Sequence, residues 1–268
     1  MSVACIILTM NEERNIAACI ESTSGFFEKI LVVDSGSNDD TVKIAENYGA
    51  LVVHHPFEGF GPQYNFALSL AATEWIFILD ADERLNERLI REIRAVTCSP
   101  DSCAAYQVAR RNFFMGKWVR HCGGFWPDYQ TKLWKRGLAR HEDRAVHSLV
   151  IVDGETKKLE SPLEHLTYDS VSQYIEKLNR YTTLEQQVRS QTWNEVSQYW
   201  HQYTFRMRAK FVLRNAPLRP LLRFLYMYVY KAGFLDGKVG LVLCALSSFA
   251  EFVGGVKHYE LKRSEGQH

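Results

Sequence analysis

The chain has 268 residues, 46% hydrophobic and 24% charged, which fits a globular enzyme of one large domain or a domain with an appendage and excludes a disordered or fibrous protein. Its 32 Lys and Arg against 31 Asp and Glu leave a net +1, so the broad basic field of a nucleic-acid binder is missing and any basic surface must be local. Six cysteines without a CxxC pair suggest neither a zinc ribbon nor a disulfide framework, and a reducing compartment is the simplest setting.

In chain order, the apolar run Val3 to Leu8 is too short for a signal-peptide core and leads directly into Asn11-Glu12-Glu13-Arg14, so no secretory signal is expected. That run reads as a buried strand, Asn11 to Ser22 as a helix, and Ile30 to Val33 as a second strand ended by Asp34-Ser35-Gly36-Ser37. A helix over Asp39 to Tyr48 closes at Gly49; a strand at Ala50 to His54, a helix at Gln63 to Ala72 and a strand at Trp75 to Leu79 follow. This alternation predicts an α/β fold with a mostly parallel sheet and helices on both faces. Ligands bind such sheets at the carboxyl ends of strands, which directs attention to Thr9 to Asn15, Asp34 to Thr41 and Asp80 to Glu83.

The stretch from Cys98 to about Leu166 is irregular and dense in aromatic and basic residues, with short strand candidates at Ala105 to Ala109, Gln130 to Trp134 and Leu149 to Val152. After Ser170 the pattern becomes helical. Val171, Tyr174, Ile175, Leu178, Tyr181, Leu184 and Val188 form one apolar stripe, and helices are expected at about Glu195 to Arg214, Leu218 to Ala232 and Lys238 to Tyr259. The division that results is residues 1–168 for an α/β domain and 169–268 for a helical tail.

Asp80-Ala81-Asp82-Glu83 is the sharpest constellation, because a buried strand delivers two carboxylates, one residue apart, to the sheet edge. Hard divalent cations such as Mg²⁺ and Mn²⁺ favour such oxygens and complete their shells with substrate phosphates. The competing explanation is electrostatic support for the helix that begins near Asn86. Asp34 suits either a ribose or base contact or a turn cap, and the absence of glycine from Thr9 to Arg14 argues against a dinucleotide site.

The runs ILTMNEERNI (7–16), LVVDSGSNDDT (31–41) and FEGFGPQYNFALSLAATEWIFILDADERL (57–85) resemble inverting glycosyltransferase family 2. Within it, DSGS, DADE and GFLDGKVG (233–240) are most similar to the lipopolysaccharide core β-1,4-glucosyltransferases that act on the first heptose. The resemblance implies a GT-A fold, an Mg²⁺ or Mn²⁺ cofactor held through the DxD motif, a UDP-glucose donor and a lipopolysaccharide inner-core acceptor. It implies Thr9, Asn11 and Glu12 beside the nucleoside, Asp34 on uracil or ribose, Asn65 facing the donor, and Asp80 and Asp82 on ribose, metal and diphosphate. Relatives carry a His-Glu pair where this chain has His147-Ser148, so the general base is expected among Asp143, His147 and Glu142, with Asp128 the next candidate.

Trp118, Phe125, Trp126 and Tyr129, interleaved with Arg110, Arg111, Lys117, Arg120 and Lys132, read as a sugar- and phosphate-gripping patch, with Trp126 and Lys132 on the acceptor. The tail puts Arg206, Lys210 and Arg214 on one helical stripe beside Tyr199, Tyr203, Met207 and Phe211. Such a helix fits either an anionic membrane surface or an oligomer interface, and the lipid-linked acceptor favours a peripheral position on the cytoplasmic face of the inner membrane. The apolar runs Leu221 to Leu235 and Val239 to Val253, interrupted by Arg223, Lys231 and Glu251, each fall short of the roughly 20 residues of a spanning helix. A phosphohydrolase using Asp80 as nucleophile is the reading from another enzyme class.

Overall fold

The computed structural model describes residues 2–23, 25–123, 125–142, 149–168, 170–189 and 218–265. The chain divides into two compact units: Met1–Phe113 with Trp126–Thr167, and Phe114–Phe125 with Tyr168–His268. The sequence division kept 114–125 with the α/β part, whereas this stretch clusters with the helical part.

The first unit is built on β1 (Val3–Thr9), β2 (Lys29–Asp34), β3 (Leu51–His54) and β4 (Trp75–Asp80), all parallel in the order β3-β2-β1-β4. Alternate residues along the strands feed separate cores: Cys5, Ile7, Val32, Phe77 and Leu79 enter one, Ile6, Leu31, Val33, Ile76 and Ile78 the other. Both faces are therefore covered, as continuous apolar runs require. The first core takes Ile16, Cys19 and Ile20 from α1 (Ile16–Glu21), Ala45 from α2 (Thr41–Asn47), and Leu89 and Ile93 from α4 (Glu87–Cys98). The second takes Ala67 from α3 (Phe60–Ser69).

The later strands reverse direction or add edges. The strands β6 (Ala105–Phe114) and β8 (Asp128–Lys135) are antiparallel, and β8 also lies antiparallel to β4. The short β5 (Glu83–Arg84) pairs antiparallel with β12 (Leu163–Tyr168), β11 (Thr156–Lys158) attaches to β6, and β7 (Lys117–Trp118) falls in the second unit. A separate ribbon joins β9 (Ala139–His141) to β10 (Val150–Val152). The mostly parallel sheet flanked by helices is the α/β fold expected from the sequence.

One helix is shorter than expected. The residues Asn11 to Asn15 form a loop before α1, because Asn11 adopts φ 58° and the Asn11 and Glu12 amides donate to Ser37 Oγ and Thr41 Oγ1. These side-chain acceptors compete with helix formation.

The second unit contains α5 (Val171–Arg189), α6 (Arg219–Leu225), a π turn (Tyr226–Tyr230), a 3-10 turn (Gly233–Asp236) and α7 (Gly237–Glu265). On α5, Tyr174 and Leu178 are buried while Val171 and Ile175 are exposed, so only part of the anticipated stripe faces a core. The basic stripe at Arg206, Lys210 and Arg214 lies outside the described residues. The buried Asp236 carboxylate accepts hydrogen bonds from the backbone amides of Arg120, His121 and Cys122, and the Lys117 ammonium donates to its carbonyl. The GFLDGKVG run thus serves to hold 117–122. At Gly240 a Cβ would collide with the Gly233 carbonyl, which explains a glycine there.

The helix ending the chain also corrects a length expectation. Gly233–Arg263 is 31 residues with mean hydropathy 1.9 in its most apolar window, long and apolar enough to cross a membrane by length and composition. Glu251, read as an interruption, is paired with Arg219 at 2.8 Å.

Candidate active site

The carboxyl ends of β1, β2 and β4 lie side by side, with Thr9 in register with Asp34 and Leu8 with Asp80. Each supplies a polar residue, and the parallel order brings them to one sheet edge. At Asp34 the carboxylate is buried and meets four donors of its own neighbourhood: Thr9 Oγ1 at 3.1 Å, Ser37 Oγ at 2.5 Å, and the Gly36 and Ser37 amides at 2.9 Å. A nucleobase or ribose would have to displace one of these. Asn11 accepts from the Asn38 amide, and Glu12 accepts from Asn15 Nδ2, so both brace the adjoining loops.

Asn65, expected to face the donor, instead exchanges two hydrogen bonds with the backbone of His141 at 2.9 and 3.0 Å. Its amide reproduces a strand pairing and ties α3 to β9. The ring of His141 stacks on Tyr64 with centroids 4.1 Å apart, and burial pushes its pKa down to about 4, which keeps it neutral.

The Asp-Ala-Asp-Glu turn carries the strongest electrostatics. Asp80 accepts from Tyr64 Oη at 2.9 Å and from Lys132 Nζ at 2.9 Å. Lys132 also donates to the buried Glu83 at 2.7 Å, and Arg110 stands 3.7 Å from Glu83 and 3.9 Å from Asp80. Burial works to raise the Asp80 carboxyl, but Lys132 and Arg110 outweigh it and hold Asp80 well below the usual carboxylate range. Burial, followed by the charge of Asp80, pushes Glu83 up. Two expectations change here. Lys132 is a buried counter-ion rather than an acceptor-binding group, and Asp80 is turned to an ammonium rather than presented to a cation. The amino end of α4 has its own cap in Asn86, which accepts from the Leu89 amide.

Asp82 faces another way. Its Oδ1 lies 3.4 Å from Nε2 of His165 on β12, a residue the sequence reading missed. The other ring nitrogen of His165, Nδ1, lies 2.6 Å from Asn112 Oδ1. The carboxylate oxygen and the imidazole nitrogen, 3.4 Å apart, are close enough to share one divalent cation, with the carboxylate as the hard donor that Mg²⁺ and Mn²⁺ favour and the borderline imidazole as its companion. Among the described residues no group of three or more His, Cys, Asp or Glu gathers for a metal, so such a cation would fill its shell from phosphate oxygens and water. The residues thus fit the implied cofactor through Asp82 and His165.

The remaining predicted residues divide as follows. Asp128 accepts from Arg110 at 2.6 Å, Gln130 at 2.8 Å and Asn112 at 3.3 Å; burial opposes but Arg110 lowers its pKa, which makes it a poor base. Glu142 is described, with its amide bound to the Leu149 carbonyl, while Asp143 and His147 lie outside the described residues. The aromatic-basic patch is split. Trp118 sits under Arg120 in the helical unit, Tyr129 lies under Lys158 in the α/β unit, and Trp126 is half-buried.

The model of glycosyl transferase family 2 matches residues 4–150, more than half of the chain, and the protein belongs to that family. This removes the phosphohydrolase reading. The chain is 42% identical over 108 residues to an uncharacterized glycosyltransferase of Rickettsia felis, covering 40% of this chain and 38% of that one. It is 29% identical over 204 residues to the lipopolysaccharide core biosynthesis glycosyltransferase LpsC of Rhizobium meliloti, covering 71% of this chain and 73% of that one. The chain therefore matches well under half the length of the Rickettsia relative. Staphylococcus aureus TarS 1–349 superposes with a TM-score of 0.49 at 12% identity, over 97% of this chain and 92% of that one.

Proposed function

We propose that the protein is a metal-dependent inverting glycosyltransferase that moves a hexose, glucose from UDP-glucose, to an inner-core heptose of lipopolysaccharide. The observation that carries this reading is Asp82, just after β4 within the family 2 match, paired with His165 of β12 in a chain related to a lipopolysaccharide core enzyme. Mg²⁺ or Mn²⁺, held by Asp82 and His165, would neutralise charge on the leaving diphosphate. Asp80, fixed by Tyr64 and Lys132, keeps the strand end rigid, and the neutral His141 lines the adjoining face without adding charge. The general base, which takes the proton of the attacking hydroxyl opposite the diphosphate, is assigned to the segment from Glu142 through Asp143 to His147.

The same reading puts the protein on the cytoplasmic face of the inner membrane, as a peripheral protein held by its helical unit. The support is the exposed apolar side chains of Leu218 to Leu261, flanked by Lys231, Lys238, Lys262 and Arg263. The enzymatic test is incubation with a panel of nucleotide sugars and truncated lipopolysaccharide, with mass detection of product. A single added hexose from UDP-glucose, lost in excess chelator, is the expected result. Transfer only to a polyprenyl phosphate or another glycan, or undiminished transfer in chelator, overturns it.

A further inference from the structure

The strands around Asp82 carry a chain of polar groups that no motif announces. Arg110 and Asn112 are two residues apart on β6 and so share a face, and Arg110 is in register with Asp128 of the neighbouring β8. On that face Arg110 Nη2 meets Asp128 Oδ2 at 2.6 Å, and Asn112 Nδ2 donates to the same oxygen at 3.3 Å. His165 on β12 lies in register with Glu83, next to Asp82, and the Leu166 amide donates to the Asp82 carbonyl at 2.8 Å. These contacts place the His165 ring between Asn112 and Asp82.

The chemistry of each group fixes the next. An ionised carboxylate only accepts hydrogen bonds, so Asp128 draws the NH₂ end of the Asn112 amide towards itself. The amide oxygen then faces His165 Nδ1, which must carry the proton to make that 2.6 Å contact. Nε2, the nitrogen nearest Asp82, keeps its lone pair in the neutral ring and is available as a ligand.

We propose that Asn112, oriented by Asp128, is a positioning residue that sets the tautomer of His165 and so prepares Nε2 and Asp82 to hold a divalent cation together. This rests on the metal reading above but concerns groups which that reading does not use. Outer partners of this kind change metal affinity by roughly 10- to 100-fold when removed.

The test uses the full chain, with ¹⁵N-histidine labelling and Mn²⁺ titration followed by electron paramagnetic resonance. In the metal-free wild type at pH 8 the His165 ring should be the Nδ1–H tautomer. In Asn112→Leu the proton should move to Nε2, where Asp82 can accept it, and the Mn²⁺ dissociation constant should rise roughly 10- to 100-fold. Asp128→Asn, a milder change, should allow the Asn112 amide to flip and shift the tautomer the same way. An unchanged tautomer with Mn²⁺ affinity within twofold of wild type in the variants that fold overturns the assignment of Asn112. Wild-type affinity in Asp82→Ala and His165→Ala, or no Mn²⁺ binding by the wild type, instead overturns the metal reading. The tautomer measurement then still decides the role of Asn112.

Discussion

The two units differ in how many charges they bury and how much apolar surface they expose. The α/β unit buries Asp34, Asp82, Glu83, Lys132 and His141, and supports them with hydrogen bonds and counter-ions. In the helical unit, 15 of the 23 exposed large hydrophobic side chains of the described residues fall between Leu218 and Leu261. Burying charge is costly unless each group is paired, so the first pattern marks a site where electrostatics are fixed in advance. Exposed apolar area costs solvation unless something covers it, which is why the second pattern is the one to test as a contact surface. The paired buried charges of the site and most of the exposed apolar surface thus lie in different parts of the chain.

The most severe way to break this division is at Asp82. Asp82→Ala should lower metal-dependent transfer by roughly 10³-fold or more while leaving the circular dichroism spectrum and vesicle binding as in wild type. Near-normal transfer would separate the DxD motif from catalysis. Next in size is the base: Asp143→Asn should lower kcat by roughly 10²- to 10⁴-fold with little change in donor affinity. If His147→Ala has that effect and Asp143→Asn is nearly silent, the histidine is the base.

Lys132 tests whether the buried charges also hold the fold. Removing one member of a buried pair costs about 3–5 kcal/mol, because the partners stay buried without compensation. Lys132→Met should therefore lower stability by about that amount in denaturant unfolding, since Asp80 and Glu83 lose their nearest cation and retain Arg110 at 3.9 and 3.7 Å. A loss under about 1 kcal/mol would mean that water replaces the ammonium.

His141 gives a smaller, pH-dependent effect. Its pKa is depressed by burial to about 4 from an ordinary 6.5, so the unfolded chain binds the proton more readily between those values. Its contribution to stability is complete above pH 6.5 and is lost as pH falls towards 4. The loss is at most about 3 kcal/mol, and His141→Gln should flatten the stability profile over that window. An unchanged slope would remove His141 from the account.

The four parallel strands and the DxD turn were legible in the sequence because continuous apolar runs ending in carboxylates are local patterns. His165 and Asn112 were not, since their meaning depends on antiparallel registers between residues up to 82 positions apart. Lys132 and Arg110 were noticed as cations, but composition could not tell a buried counter-ion from a sugar-binding group. Asn65 was expected at the donor by resemblance, and only the β9 backbone revealed that its amide is spent on His141. Residues that touch neighbours in sequence were easier to read than residues defined by strand pairing.

The smallest expected effect sharpens the comparison most, because it asks whether identical charges act differently on the two units. A basic residue near an anionic bilayer contributes about 1 kcal/mol, or roughly fivefold in affinity, and exposed charges are screened beyond about 10 Å at 0.1 M ionic strength. Lys238 is exposed at the start of α7, beside the exposed Leu235, Leu241 and Val242, so Lys238→Gln should weaken flotation with anionic vesicles by about that factor at low salt. The difference should fade in 0.5 M salt, while residual binding through the apolar side chains persists. Lys43 is also exposed but lies on α2 of the α/β unit, so Lys43→Gln should leave flotation unchanged. Equal losses for the two lysines would mean that the whole surface attracts lipid through its charge. No loss for either, together with unchanged binding in Arg206, Lys210 and Arg214 changed to Glu, would assign the apolar face of α6 and α7 to a protein partner, and a concentration-dependent mass in solution would identify that partner as a second copy of this chain.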